Sequence, residues 1–170
     1  MQTSVFAIEP EIGETPPRSI RLKRILVPVD FSAPSQQAFG YALRFAKEFG
    51  SEVTLLHIVE KHGVGSGLSE LPAELEYSNR QLNRTKHQLR ALSASSNIPG
   101  SPTIRSVVRK GLPAHEIVEA AKEFETDLIV IATHGYTGWK HFCIGSVTER
   151  VVRAAPCPVF VVREKEHDFI

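Results

Sequence analysis

From Lys23 onward, short apolar runs alternate with longer stretches in which apolar residues recur every three or four positions. The first run, RILVPVD (24–30), is almost wholly apolar and ends in Asp30, as a strand buried on both faces reads. The next twenty residues place Ala38, Ala42, Phe45, Ala46 and Phe49 at helical spacing. Pro34 stands in the first turn of that helix, where a missing N–H costs nothing, and Gly50 stands where a helix stops. EVTLLHIV (52–59) predicts a second strand. Beyond the loop EKHGVGSGLSE (60–70), Leu71, Leu75, Leu82, Leu89 and Leu92 mark a long amphipathic helix over about 71–95. TIRSVVRK (103–110) reads as the third strand and Gly111 as a turn. A helix then opens at Pro113, with Ile117, Ala120, Ala121 and Phe124 as its apolar face. DLIVIA (127–132) is the fourth strand, Val147, Val151 and Val152 mark a fourth helix, and PCPVFVVR (156–163) is the fifth strand.

Strands that alternate with helices in this way predict an α/β domain: an open, doubly wound five-stranded parallel sheet with helices on both faces. Five strands are too few for the eight-unit barrel. Open parallel sheets bind ligands beyond the carboxyl ends of their strands, at the point where the strand order switches direction. Those ends carry Pro28-Val29-Asp30, His57-Ile58 and Ala132-Thr133-His134-Gly135.

Composition narrows the picture. The chain has 170 residues, 42% hydrophobic and 23% charged, enough for one globular domain without a disulfide or metal staple. A net charge of +1 gives no electrostatic case for nucleic acid or an anionic membrane. Cys143 and Cys157 form neither a C-x-x-C nor a zinc pattern and read as reduced thiols. No run of about 18 apolar residues and no secretory signal pattern occurs, so a cytoplasmic location is expected. Residues 1–22 read as an N-terminal extension that is expected to be mobile, since Pro10, Pro16 and Pro17 among Glu9, Glu11 and Glu14 oppose regular structure. The domain is expected over 23–164, with a charged tail at 165–170.

The stretch THGYTGWKHFCIGS (133–146) has neither helical nor strand rhythm, yet it joins a buried strand to a helix. Its closing Gly145-Ser146 has the parts of an anion site: free N–H groups of a first helical turn, the positive end of the helix dipole, and a glycine that lets a ligand approach the backbone. Ser146 and Thr148 bring hydroxyl donors, and Gly135 leaves room for a flat ligand. A second reading stands beside this one. Ser146 followed by Glu149 spells a capping box, in which the hydroxyl serves its own helix. Asp30 also has two readings, as an acceptor for a ribose hydroxyl or a metal, or as the cap of its own turn. Lys140 reads either as a phosphate contact or as a solvated cation, and His134 has no nucleophile beside it. Neither a P-loop nor a G-x-G-x-x-G occurs, and no catalytic residue or dedicated metal ligand is assigned.

The segments RILVPVDFSAPSQQAF, GLPAHEIVEAAKEFETDLIVIATHG and IVIATHGYTGWKHFCIGSVTERVVRAAPCPVFVVR together resemble the universal stress protein family over about 22–164. Nucleotide-binding members of that family carry G-x-x-G, nine residues, then G-[ST]. Gly135 matches the second glycine, Gly145 and Ser146 close the motif, and Ala132 replaces the first glycine. The resemblance implies a flavodoxin-like, adenine nucleotide alpha hydrolase-like sheet. It implies a stress-response regulator, or nucleotide-dependent switch, that binds ATP or another adenine nucleotide, with Mg2+ or Mn2+ as a companion ion. It places Val29 and Asp30 at the adenine and ribose and the backbone of Ile58 at the base. Ala132, Thr133 and Gly135 fall at the ribose and first phosphate, and Gly145, Ser146, Val147 and Thr148 at the phosphates. It also implies a homodimer through the last strand, PVFVV at 158–162, bounded by Pro158 and Val162. The alternatives are a protein-interaction module without nucleotide and a slow ATPase.

Overall fold

The computed structural model describes residues 20–60, 72–94, 101–133 and 144–163, with the side chains of 72–79 and 81 left aside. Five strands and four helices alternate: β1 (Arg24–Pro28), α1 (Ala33–Phe49), β2 (Glu52–Val59), α2 (Pro72–Ala94), β3 (Ile104–Lys110), α3 (Pro113–Glu123), β4 (Leu128–Ala132), α4 (Ser146–Ala154) and β5 (Val159–Val162). All neighbouring strands pair in parallel, in the order β3-β2-β1-β4-β5. The expected doubly wound sheet is therefore present. Its direction of winding switches between β1 and β4, where a crevice opens above the strand ends.

Side chains alternate along each strand and fill two cores. Ile25, Val27, Val53, Leu55 and Val130 pack with Ala38, Phe39, Tyr41 and Ala42 of α1 and Leu89 of α2. Leu26, Leu56, Ile129 and Ile131 pack on the other face with Ile117, Ala120 and Ala121 of α3 and Val151 of α4. Burial on both faces is why β1 and β4 are almost continuously apolar. β3 is an edge strand and is polar where it is exposed, at Arg105 and Ser106.

The ends of α1 follow local rules. Ser32 is the N-cap and its hydroxyl accepts from the Ser35 N–H, while Gly50 is left-handed at φ 67° and its N–H bonds the Ala46 carbonyl. Two expected core residues face solvent instead. Phe49, in the last helical position, is 43% exposed, and Val152 of α4 is 48% exposed. A nine-residue helix needs only one buried stripe, and Thr148 and Val151 supply it. Leu71 and the side chain of Leu75 lie outside the described residues.

The end of the sheet opposite the crevice is closed by Asp127. Its Oδ2 accepts from the backbone N–H groups of Lys23 at 2.9 Å and Arg24 at 2.8 Å, and its own N–H donates to the Arg24 carbonyl at 2.9 Å. The starts of β1 and β4 are thereby held level, which fixes how far their other ends project.

Candidate functional site

The strand ends, the β1–α1 turn and the N-termini of α3 and α4 enclose a crevice of about 290 Å³. Val29, Asp30, Ile58, Ala132, Thr133, Gly145, Ser146, Val147 and Thr148 all line it. Gly135, the tenth residue expected there, lies outside the described residues, as do His134, Lys140 and Cys143. The lining also includes His57, which sequence reasoning had placed at a strand end without a role, and Ser35, Glu60, Pro113, Ile117 and Ile131, which it had not placed in a site. Their contribution depends on long-range packing and leaves no local spacing signal.

The α4 end is built by two backbone bonds. The Gly145 N–H donates to the Thr133 carbonyl at 2.9 Å, which closes the base of the intervening loop. The Thr133 N–H donates in turn to Val162 of β5 at 2.8 Å, so the loop base is tied to the sheet. Gly145 is the N-cap residue, and it has no side chain with which to cap the helix. This corrects the capping-box reading: Ser146 is the first helical residue, one position too late for its hydroxyl to act as the cap. The N–H groups of Ser146, Val147 and Thr148 precede the first intrahelical donor, Glu149, whose N–H bonds the Gly145 carbonyl at 2.9 Å. They form a set of first-turn donors at the positive end of a helix dipole, beside the crevice.

Thr148 departs from expectation in a second way. Its hydroxyl donates to the Ala132 carbonyl at 2.8 Å, and the residue is only 4% exposed. The proton expected to reach a phosphate instead fastens α4 to the end of β4. Ala132 is 6% exposed and belongs to the core on the α1 side, so its methyl is accommodated by packing.

On the β1 side, Asp30 Oδ1 accepts from the Ser32 N–H at 3.0 Å and from the Ser32 hydroxyl at 2.5 Å. The carboxylate therefore organises its own turn, as one of the two sequence readings has it, and the residue lines the crevice. Val29 has its N–H bonded to the Leu56 carbonyl at 2.8 Å, and its carbonyl faces His57 Nδ1 at 2.8 Å. The residue is 4% exposed. Val29 therefore shapes the wall while its N–H is already committed.

Ile58 differs from Val29. Alternate residues of a strand direct their backbone groups to the same neighbour. Glu52 and Leu56 bond the β1 side, at Lys23 and Val29. Ile58 shares their parity, so its N–H and C=O point past the place where β1 has already ended. Ile58 lines the crevice at that place.

The lining is acidic where it is charged, with Asp30 and Glu60 as its carboxylates and no Lys or Arg among the described lining residues. Among the described residues no group of three metal-ligating side chains occurs. Also among the described residues, no helix is long and apolar enough to cross a membrane. Cys157 lies away from the crevice, half-buried against the α3–α4 core. Burial pushes its thiol above the ordinary range, a hydrogen bond with the Ile129 backbone pulls it down, and the charge of Asp127 pushes it up.

Strand order and crevice together define a doubly wound α/β domain with its ligand-type cleft at the switch point. The profile of the Universal stress protein family matches residues 21–163, and the chain belongs to that family. Universal stress protein MJ0531 of Methanocaldococcus jannaschii is 36% identical over 152 residues, covering 86% of this chain and 85% of the relative. The solved structure of MJ0577 from the same organism is similar at a TM-score of 0.70 and 28% identity, over 87% of this chain and 100% of that one. Two more distant structures share the fold. One is a universal stress protein in complex with cAMP, at a TM-score of 0.61 and 20% identity over 86% of this chain and 100% of that one. The other is a family protein from Arabidopsis thaliana with AMP bound, at a TM-score of 0.58 and 17% identity over 87% and 96%.

Proposed function

We propose that the crevice binds an adenine nucleotide, ATP or a relative of it, and that occupancy sets the state of a stress-response regulator. One observation carries this reading. Asp30, Ile58 and the first turn of α4 (Ser146, Val147 and Thr148) line one crevice of about 290 Å³. That volume is near the lower end of the roughly 300–1,000 Å³ of ligand pockets.

Each group matches one part of the ligand. The Ile58 N–H and C=O suit the N1 acceptor and the N6 amino donor of adenine; guanine presents the reverse pattern. Asp30 suits ribose hydroxyls, which a carboxylate accepts. The α4 N-terminus suits a phosphate. A divalent ion carried with a longer phosphate chain would take its oxygens chiefly from the phosphates, with Asp30 and Glu60 as the nearest carboxylates of the lining. That two distant members of the family are described with cAMP and with AMP supports the same ligand class.

Binding is favoured over catalysis by how the polar side chains are used. The Ser35 hydroxyl donates to the Ser32 carbonyl, Thr148 to Ala132, and His57 Nδ1 to Val29. These groups hold the framework. β5 is an edge strand, and VFVV across it supports the reading that a second copy covers that edge.

Calorimetric titration with ATP, ADP, AMP and cAMP, with and without magnesium, tests the proposal. Saturable binding of at least one adenine nucleotide is expected, with GMP weaker. No heat at millimolar concentration of any of them sinks it.

A further inference from the structure

His57 lies near the carboxyl end of β2 on the α1–α2 face, by the alternation that buries Leu55 on that side and Leu56 on the other. Its Nδ1 lies 2.8 Å from the Val29 carbonyl oxygen. A carbonyl can only accept, so Nδ1 carries the hydrogen and the tautomer is fixed. The ring packs against Phe31, with centroids 4.7 Å apart and planes tilted by 33°. Phe31 is left-handed at φ 67°, a conformation that is rare for an aromatic residue.

A turn of this kind persists only where its surroundings hold it. Gln36 Nε2 donates to the Phe31 carbonyl at 3.1 Å, and Ser32 donates twice to Asp30. Two further holds come from His57: the bond to Val29, the residue before Asp30, and the ring contact with Phe31, the residue after it. Asp30 and His57 both line the crevice.

We infer that His57 is a positioning residue for Asp30, and that the pair sets selectivity for the free ribose hydroxyls of the bound nucleotide; this rests on the adenine-nucleotide reading above. A carboxylate discriminates a hydroxyl only when it is held within about half an ångström of the bonding position. His57 holds the residues on both sides of Asp30 from a strand that is itself paired with β1 and β3. The ring is therefore predicted to act on ligand choice through Asp30, without touching the ligand.

The test compares AMP with 2′,3′-dideoxy-AMP by calorimetry on the full chain. The wild type is expected to prefer AMP by about tenfold or more, the scale of a hydrogen bond to a charged group. His57→Phe keeps a ring against Phe31 but lacks the donor, and its preference is expected to shrink to about threefold or less. His57→Asn restores a donor near the Nδ1 position and should recover most of the preference. Asp30→Asn should abolish it, and adding His57→Phe to Asp30→Asn should change the ratio no further. A purely structural role would weaken both ligands equally and leave the ratio alone.

Each outcome decides something. AMP binding with an unchanged ratio in His57→Phe overturns the inference and leaves the nucleotide reading standing, as does a wild type that shows no preference. No AMP binding by the wild type overturns both. Should His57→Phe fail to fold, the nitrogen NMR spectrum of the wild-type imidazole still decides. The proton is expected on Nδ1, and a proton confined to Nε2 overturns the inference without reference to any ligand.

Discussion

Replacing Thr148 by valine keeps the shape of the side chain and deletes one proton donor. In the folded chain that donor meets the Ala132 carbonyl at 2.8 Å, in a residue 4% exposed. Valine leaves the carbonyl facing a methyl group, in a place closed to solvent. An orphaned buried acceptor costs about 1–3 kcal/mol, against about 1 kcal/mol for an average bond lost where water can replace it. For a domain of this size, that range lowers the melting temperature by roughly 3–10 °C. Circular dichroism melts and urea titrations of wild type, Thr148→Val and Thr148→Ser measure it, with Thr148→Ser expected to lie near the wild type. Adenine-nucleotide affinity should fall less than about threefold, because the Thr148 backbone N–H is untouched and the hydroxyl proton is already committed. An unchanged melting temperature together with a tenfold or greater loss of affinity would refute the reasoning. The hydroxyl would then belong to the ligand after all.

Three further outcomes follow from the framework. Gly50→Ala should cost about 1 kcal/mol through its left-handed backbone alone, since a Cβ there meets nothing within 4 Å; an unchanged urea midpoint contradicts this. Asp127→Ala removes two charge-assisted bonds to the start of β1 and should cost about 2 kcal/mol by the same titration, while ligand affinity at the far end of the sheet is retained. Cys157 should alkylate slowly in the folded chain, because its thiol is held above the ordinary range chiefly by burial. In a Cys143→Ser background, labelling should accelerate when the pH is raised or the fold is melted; rapid labelling of the native chain at neutral pH contradicts it.

The fold was legible because each strand is a compact apolar run and each helix a spaced one. Glu52–Val59 and Pro113 are element limits that the bare pattern placed correctly. Phe49 and Val152 were misplaced because periodicity marks a face without saying how wide the buried stripe is. The crevice was legible in outline, since the strand ends point to it and the loop closing at Gly145-Ser146 carries a recognisable spacing. Its internal wiring was not. The capping box failed by one residue, because Gly145 took the N-cap position that Ser146 was expected to hold. The Thr148–Ala132 bond spans 16 positions and the His57–Val29 bond 28, and no local pattern announces either. Phe31 was hidden for a related reason: nothing in Asp-Phe-Ser signals a left-handed aromatic residue, whose contacts with His57 and Gln36 are long-range or depend on the turn itself.

The most direct measurement of the central claim is a nitrogen–proton correlation spectrum of the full chain titrated with AMP. The account predicts that the amide signals of Ile58, Ser146, Val147 and Thr148 shift together and saturably, while those of Lys23, Asp127 and the exposed residues of α2 stay in place. Shifts confined to α2 or to the Asp127 end of the sheet, or no shifts at millimolar AMP, would contradict it.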